Sequence, residues 1–460
     1  MQAGIAAGHP ATTAAGVEIL AEGGTAADAA VAASLASCVA ETVMTGLLGG
    51  GHAIYFDAAS GNARNLDCFV AVPGLGAEPR EPELIHLDVP FGAELVHYAV
   101  GPASCAVPGL PEGLAALSRE HGRLPWPRLV EPALRLARED VEFPPAHAAC
   151  LAMLAPVMTM NEGAAIYAPE GELLASGDRL HQPGLVPALE ALADDPASVY
   201  RGAIAAALLE LSAERGGLVT ERDLGSYEAT WSDPVSVGYL DGRLLTRAGL
   251  SGVPGLVPRL PRLAGLDATE RVLALVAVLE SPSSGDGDTT NVTVVDDEGN
   301  ACVLTTSLGL GSGDFLPGLD LHLNSMLGET DLLRGGLEPG RRMQSMMAPT
   351  LAFDTDGLSL AAGAAGGTRL RTALLGVIAG VLDEGLSALD AVARPRFHPA
   401  PDVVNAEPGV DEAALQALEA RGRTVRRWPA QHHYFGGVSV VSRTGMAGDP
   451  RRNGAAASPG

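Results

Sequence analysis

Several kinds of residue are scarce in this chain of 460 residues, and each scarcity excludes a class of protein. Lysine is absent, so all 30 cationic residues are arginine, against 55 acidic ones, and the net charge is −25. Nucleic-acid binding needs clustered cations, so the acid excess argues against it. Charged residues make up only 18% and apolar residues 47%, which excludes a disordered chain. No apolar run approaches the roughly 20 residues that a membrane-spanning helix needs.

Cysteine is sparse as well. The five cysteines are an odd number without a C-x-x-C pair: Cys38, Cys68, Cys105, Cys150 and Cys302. The pattern predicts buried thiols rather than a disulfide framework or a zinc site, and we expect neither metal nor cofactor. The first residues lack the basic and then apolar stretch of a signal peptide, so we expect a cytoplasmic protein. Separately, we expect its substrate to be a small molecule.

The chain reads as mixed helix and strand. Thr25 is suited to cap a helix over 26–38, which is so rich in Ala and Val that we expect it to be buried. Residues 52–56 predict a strand, and a further helix is predicted over 269–280. The tail after Gly454 is small and polar, and we expect it to be disordered.

The character of the sequence changes abruptly near residue 289. Residues 281–288 are rich in Ser, Gly and Asp, which is typical of an exposed, flexible linker. The β-branched stretch 289–295, the turn signal at 297–300 and the second apolar stretch 301–307 predict a hairpin. A polar linker therefore runs directly into a strand that begins with threonine.

That threonine is a candidate nucleophile. If the chain is cut between Asp288 and Thr289, the new α-amine of Thr289 has an ordinary pKa of about 7.7–8.0 and can accept the proton of the hydroxyl. The uncut threonine lacks this base, although its hydroxyl could attack the carbonyl of Asp288 and pass through an ester. On these residues alone, a plain start of a β-strand is the simpler interpretation.

Short motifs along the whole chain change that balance. They are His-Pro at 9–10, Gly-Gly-Thr-Ala-Ala-Asp at 23–28, Gly-Gly-Gly-His at 49–52, Val-Pro-Gly at 107–109, Gly-Arg-Leu-Pro-Trp at 122–126, Asp-Thr-Thr at 288–290, Ala-Pro-Thr at 348–350, Gly-Gly at 366–367, Phe-Gly-Gly-Val at 435–438 and Asp-Pro-Arg-Arg-Asn-Gly at 449–454. Each is weak alone. Together and in this order, they resemble the gamma-glutamyltranspeptidase family.

The resemblance implies a fold and a processing event. The fold is an α/β (α+β) architecture, the four-layer αββα sandwich of the N-terminal-nucleophile hydrolases. The proenzyme would cut itself between Asp288 and Thr289. The segments 1–288 and 289–460 would then stay together in one domain as a heterodimer, which could oligomerise further.

The resemblance also implies catalytic roles. Thr289 would be the nucleophile, and Ser307 would be a second hydroxyl residue beside it. The backbone amides of Gly366 and Gly367 would stabilise the oxyanion, and losing one such donor typically costs roughly 3–4 kcal/mol of barrier. Without the resemblance, a plain turn would be the simpler interpretation of the glycine pair.

Where this sequence departs from the family, it departs in the substrate pocket. The positions concerned are Phe69 in place of an arginine, Gly309 in place of an asparagine, Ser325 in place of an amide, Gly328 in place of an acid, and Ser345-Met346 in place of two serines. A zwitterionic glutamyl head needs a cation for its carboxylate and an acid for its amine, and an unpaired buried charge costs several kcal/mol. We therefore expect glutathione to be a poor substrate, unless Arg64 or Arg342 supplies the missing cation.

The expected activity is hydrolysis of a non-standard substrate. The bond would be an amide, or a carbon–carbon bond beside a carbonyl, in a specialised biosynthetic pathway of the antibiotic or alkylproline type. The alternatives are an ordinary γ-glutamyl hydrolase or transferase and an oxamate-type amidohydrolase. An alternative of another class is an uncleaved, non-catalytic homologue.

Overall fold

The computed structural model describes the whole chain except residues 79, 92–93, 281–287, 330–331 and 334–335. All of the predicted linker but its last residue therefore lies outside the described residues. The helices are α1 Pro10–Ala21, α2 Ala26–Ala40, α3 Leu110–His121, α4 Trp126–Glu139, α5 Pro145–Met158, α6 Gly163–Tyr167, α7 Leu185–Asp194, α8 Ser198–Arg201, α9 Ala203–Arg215, α10 Glu221–Ser226, α11 Val253–Leu256, α12 Ala268–Leu279, α13 Arg369–Leu382, α14 Ala388–Ala393 and α15 Glu412–Ala420.

The strands are mostly short, and many of them lie far apart in sequence from their neighbours. They are β1 Gly4–Ala7, β2 Gly50–Asp57, β3 Asn62–Cys68, β4 Ile85–Phe91, β5 Glu94–Val100, β6 Val141–Glu142, β7 Arg179–Leu180, β8 Thr230–Ser232, β9 Val235–Tyr239, β10 Gly242–Thr246, β11 Asp288–Val295, β12 Ala301–Gly309, β13 Phe315–Leu316, β14 Leu321–His322, β15 Thr350–Asp354, β16 Gly357–Ala365, β17 Phe397–Pro399, β18 Val403–Ala406, β19 Thr424–Arg427, β20 Gly437–Ser442, β21 Gly445–Ala447 and β22 Ala455–Ala457.

Two antiparallel sheets form the centre of the molecule. One has seven strands in the order β22-β1-β11-β12-β2-β3-β8, and the other has six in the order β21-β20-β16-β15-β10-β9. Successive residues of a strand point to opposite faces, so Val294 of β11 packs against the helices while Val295 packs against the other sheet. The predicted hairpin is confirmed as β11 and β12, which lie in the middle of the seven-stranded sheet.

Apolar side chains fill three successive spaces between layers. Helices α1 to α4 cover the outer face of the seven-stranded sheet. Ile54, Val303, Leu351 and Val441 are among the residues that join the two sheets, and α12 to α15 cover the other sheet. This order of helix, sheet, sheet and helix confirms the expected four-layer αββα sandwich.

Helix α2 is the buried helix that its composition predicts. Every residue from Ala26 to Ala40 is buried, because small side chains let the helix lie close to its neighbours. Thr25 caps it as expected: its hydroxyl accepts a hydrogen bond from the Asp28 amide at 3.1 Å, and its own amide donates to the Asp28 carboxylate at 3.0 Å. The helix ends beside the hairpin, directly before Glu41.

The expectation of a disordered tail is wrong. Ala455–Ala457 forms β22, which pairs with β1 along Ile5 to Ala7. The Thr13 hydroxyl donates to the Ala455 carbonyl at 3.0 Å. Strand pairing uses backbone groups, so three alanines can complete a sheet edge although their side chains carry no strand signal.

Three further observations concern the described residues as a whole. None of their helices is long and apolar enough to cross a membrane. They contain no group of three or more His, Cys, Asp or Glu side chains arranged to hold a metal ion. All five cysteines are buried.

A buried ionic network ties the C-terminal motif to the six-stranded sheet. Asp449 pairs with Arg396 at 2.5 Å and with Arg451 at 3.2 Å, and Arg451 also bonds Glu407 at 2.7 Å. The Asp449 carboxylate also accepts the Val438 amide of β20 at 2.9 Å. Burial by itself would raise the pKa of Asp449, but the two guanidinium groups hold it below its usual value.

Replacing Asp449 by Asn should therefore destabilise the protein, because it leaves buried arginine charge without its partner. We expect a loss of about 3–5 kcal/mol in the free energy of unfolding at neutral pH. The difference should shrink as the pH falls below about 4, since the lowered pKa stabilises the fold only while the carboxyl is ionised. Urea unfolding at several pH values measures both effects.

The matched control is Asp297→Asn, which removes the charge of an exposed aspartate in the β11–β12 turn. We expect it to change the free energy of unfolding by less than about 0.5 kcal/mol. Equal losses in the two variants would contradict the role of the network.

Candidate active site

Thr289 lies at an interruption of the central sheet. It is the second residue of β11, its side chain is buried, and two residues of β12, Ser307 and Leu308, oppose it. This is a β-bulge, which bends the strand and redirects a side chain. The bulge leaves Thr289 outside the regular pairing, with Ser307 across from it.

Thr289 and Ser307 face a common pocket of about 360 Å³, part of it open to solvent. Its lining is mainly apolar and consists of Phe69, Thr289, Ser307, Met326, Glu329, Leu332, Ser345, Met346, Met347, Gly367 and Leu370. Six of these are residues that the sequence predicts: Thr289, Ser307, Gly367, Phe69, Ser345 and Met346.

The other predicted residues adjoin the pocket without lining it. The Gly309 amide donates to the Ser307 Oγ at 2.9 Å, so it fixes one side of that hydroxyl. The Ser325 Oγ accepts the Leu310 amide at 3.0 Å. Both residues therefore support the pocket wall.

The glycine pair lies in the turn between β16 and α13. Gly366 has φ +117° and Gly367 has φ +53°, conformations that favour glycine. A Cβ on Gly366 would lie 2.8 Å from the Gly436 Cα, so the turn also has no room for a side chain. The two carbonyls accept the amides of Arg369 and Leu370 in the first turn of α13. The pair thus lies at the N-terminal end of a helix, where partial positive charge favours an anion.

Phe69, at the position where the resemblance predicts an arginine, is well packed. It is buried, and its ring stacks on the buried His52 with centroids 5.5 Å apart. Its carbonyl accepts from the Tyr227 hydroxyl at 2.5 Å and from Arg342 at 2.6 Å. The aromatic ring is therefore a fixed part of the wall.

Neither arginine considered as a substitute lines the pocket. Arg342 bonds the carbonyls of Phe69 and Glu228 from behind the wall. Arg64 lies at the surface, 3.4 Å from Glu120 and over the ring of Trp231. The possible rescue of a substrate carboxylate by either residue is not supported.

A third arginine also supports the wall. Arg247 donates from one nitrogen to the carbonyls of Ser345 at 3.2 Å and Met347 at 3.0 Å. Burial lowers the pKa of Arg247 to about 10. These hydrogen bonds hold in place the segment 345–347, which lines the pocket.

Gly328 and Gly309, where the resemblance predicts an acid and an asparagine, have no room for a side chain. A Cβ on Gly328 would lie 1.6 Å from the carbonyl oxygen of Ala99 in β5, so no acid fits there. A Cβ on Gly309, whose φ is +70°, would lie 2.6 Å from the Glu329 Oε1 and 2.7 Å from the Ser325 Oγ. Neighbouring groups occupy the space of the missing side chains.

The sequence reasoning missed Glu329, which brings a carboxyl group into the pocket. Glu329 directly follows Gly328, where the resemblance predicts an acid. The sequence therefore does contain an acid, one residue after the expected position. The apolar lining residues Met326, Leu332, Met347 and Leu370 were missed as well, because they come from separate loops and from α13.

Comparisons with known proteins address the fold and the family of this chain. The chain shares its fold with a cephalosporin acylase from Bacillus halodurans, on which it superimposes with a TM-score of 0.85 at 22% identity, covering 99% of this chain and 96% of that one. The family model described as gamma-glutamyltranspeptidase matches residues 12–260 and 268–458. The chain therefore belongs to the gamma-glutamyltranspeptidase family, as its motifs predict.

Two curated relatives show the range of names in this family. An acylase ACY 1 proenzyme from a Pseudomonas species is 28% identical, and the alignment covers 94% of this chain and 88% of the relative. A glutathione hydrolase proenzyme from Escherichia coli is 27% identical over 89% of this chain and 83% of the relative. Both are proenzymes of hydrolases.

Restoring an acid at residue 328 should fail, because the backbone of β5 occupies the space. We expect Gly328→Asp to lower the free energy of unfolding by about 3 kcal/mol or more, since only a backbone shift can relieve the contact. Thermal or urea unfolding measures the loss. Gly225→Asp is the control, since nothing lies within 4 Å of a Cβ there. A stable Gly328→Asp protein would contradict this account.

Proposed function

We propose that this protein is a self-processing amide hydrolase of the acylase type, with Thr289 as nucleophile and an acyl group that is mainly apolar and not anionic. The observation that carries the proposal is the shared pocket of Thr289, Ser307 and Gly367, with its methionine, leucine and phenylalanine walls. A relative named as an acylase, aligned over 94% of this chain, supports the same direction.

The proposed reaction begins with self-cleavage between Asp288 and Thr289. The hydroxyl of Thr289 attacks the Asp288 carbonyl, and the peptide C–N bond breaks to leave an ester and the free α-amine of Thr289. Water then hydrolyses the ester, which releases the Asp288 carboxylate and restores the Thr289 hydroxyl. In turnover, this amine takes the proton of the hydroxyl as Thr289 attacks the substrate carbonyl. The amides of Gly366 and Gly367 stabilise the oxyanion. The proton passes to the departing amine, and water then hydrolyses the acyl ester.

The two proposed segments would remain associated after the cut. Both sheets contain strands from either side of Thr289: β1 and β2 flank the β11–β12 hairpin, and β10 pairs with β15. Separating the segments would break four strand pairings, β1 with β11, β1 with β22, β2 with β12 and β10 with β15, and would expose the apolar space between the sheets. This interleaving supports a heterodimer of segments 1–288 and 289–460 within one domain.

The pocket composition supports the proposed substrate class. An apolar acyl chain gains burial against Met326, Leu332, Met346 and Leu370. A glutamyl or glutaryl carboxylate would instead meet Glu329, and nearby carboxylates disfavour each other. No arginine is among the described lining residues that could offset this repulsion.

Processing tests the nucleophile directly. Purified wild-type protein should give two bands on denaturing electrophoresis, with a new N-terminus at Thr289. Thr289→Ala should give one band, because the attacking hydroxyl is gone, whereas Thr444→Ala, in an exposed turn, should still give two. A single intact band for the wild-type protein would instead favour the non-catalytic homologue.

Acyl selectivity tests the substrate class. We expect hydrolysis of straight-chain acyl 4-nitroanilides to rise about fourfold in kcat/KM per added methylene until the pocket is full, since each buried methylene contributes about 0.8 kcal/mol. The γ-glutamyl and glutaryl anilides should be poor substrates. Glu329→Gln should improve the two anionic substrates relative to the neutral ones.

Other outcomes of this assay distinguish the alternatives. Turnover of the γ-glutamyl anilide at an ordinary enzymatic rate, roughly 1–10³ per second, would favour the ordinary γ-glutamyl enzyme. Cleavage of a carbon–carbon bond beside a carbonyl, in a specialised pathway, stays an alternative. Mass spectrometry distinguishes the two reactions. An adduct on Thr289 with the mass of the acyl group of an amide substrate supports amide cleavage over carbon–carbon cleavage.

A further inference from the structure

A buried glutamate next to the hairpin has no part in the mechanism above. Glu41 directly follows α2, and its side chain is completely enclosed. One carboxyl oxygen accepts the Thr290 hydroxyl at 2.5 Å, and the other accepts the Thr12 hydroxyl at 2.6 Å. Thr290 is the residue after the proposed nucleophile, so Glu41 contacts the strand that carries Thr289.

The residues after Glu41 contact the same end of the hairpin. The Thr45 hydroxyl lies 2.9 Å from the hydroxyl of Thr306, the partner of Thr290 in the β11–β12 pairing. Glu41 itself holds this segment in place, because its carbonyl accepts the amide of Thr45 at 3.0 Å. A single turn thus contacts both strands beside the nucleophile.

Arg452 holds the backbone of Thr289. Arg452 donates to the Thr289 carbonyl at 3.3 Å and contacts the Met44 Sδ at 2.8 Å. Burial raises the pKa of the Glu41 carboxyl, and the nearby charge of Arg452 offsets part of that effect. These contacts form one cluster, which we call the Glu41 clamp: Glu41, Met44, Thr45, Thr290 and Arg452.

The clamp lies where strand pairing alone does not hold the chain. The ladder skips Thr289, because two residues of β12 oppose it. After self-cleavage Thr289 would also be a chain terminus, and termini fray unless other contacts hold them. A catalytic hydroxyl needs a fixed position, since a displacement of about 1 Å can cost about 100-fold in rate.

The space around the contact is tight. A Cβ on Gly8 would lie 2.3 Å from the Glu41 Oε2 and 2.6 Å from the Thr290 Oγ1. A side chain at position 8 would therefore collide with both partners of the Glu41–Thr290 contact, so this contact requires a glycine there.

We propose that Glu41 is a positioning residue: by accepting the Thr290 hydroxyl, it fixes the position of Thr289 for self-cleavage and for turnover. This inference rests on the proposed role of Thr289. The Glu41 carboxyl touches neither substrate nor reacting atoms, so it acts through Thr290.

The test removes each hydroxyl partner of the same carboxyl in turn. Thr290→Val keeps the shape and the strand preference of the side chain but loses the bond to Glu41. We expect it to slow self-cleavage and to lower kcat by about 100-fold, with little change in KM, because binding groups are untouched. Thr290→Ser retains the hydroxyl and should restore both rates to within a few-fold of wild type.

Thr12→Val is the matched control, since it removes the donor on the other carboxyl oxygen without touching β11. We expect its self-cleavage rate to stay within a few-fold of wild type. Circular dichroism and melting temperature show whether each variant is folded. If Thr290→Val processes at the wild-type rate, or if Thr12→Val is slowed equally, the positioning role is wrong.

The same experiment separates this inference from the proposed function. If Thr289→Ala still yields two bands, the proposed nucleophile is wrong, whatever the clamp variants do. If Thr289→Ala stays intact while Thr290→Val is cut normally, only the role of Glu41 is overturned.

Discussion

The antiparallel pairing of β11 with β12 is the interaction on which the rest of this molecule depends. The pair lies in the middle of the seven-stranded sheet, between β1 and β2, and its bulge brings Ser307 across from Thr289. One face of the pair packs on α2, and the other packs on the second sheet. Because both faces and both edges are occupied, the start of β11 is fixed by the whole sandwich.

The substrate pocket depends on backbone packing more than on charge. The carbonyl of Ala99 fills the space next to Gly328, and Glu329 with Ser325 fills the space next to Gly309. These contacts remove the polar side chains that a glutamyl head needs and leave an apolar wall. The change of substrate that we propose therefore depends on how the segments that carry Gly309 and Gly328 pack against their neighbours.

Arginine is the only strong cation in this protein, and the arginines near the pocket serve the structure. Arg342 and Arg247 donate to backbone carbonyls behind the wall, and Arg452 donates to the carbonyl of Thr289. A guanidinium group presents several donors in a fixed plane, which suits it to bridging carbonyl groups. The interior charge thus holds loops in place, which leaves the pocket face mainly apolar.

The sequence by itself determined the local elements and the family. The capped helix α2, the hairpin and the ordered motifs could be predicted, because capping, β-branched runs and turn residues act over a few positions. It also identified most of the residues that meet in the pocket, through the resemblance. Through the same resemblance, the sequence identified Thr289 as a candidate nucleophile. It did not predict the contacts that hold Thr289 in place.

Only the tertiary structure decided the contacts between distant segments. Glu329 and Leu370 reach the pocket because loops and a helix converge there, and Glu41 meets Thr290 across 249 positions of the chain. The alanine tail became β22 only because β1 offered an unpaired edge. Such pairings depend on where the chain returns in space, and no local pattern of residue types encodes that.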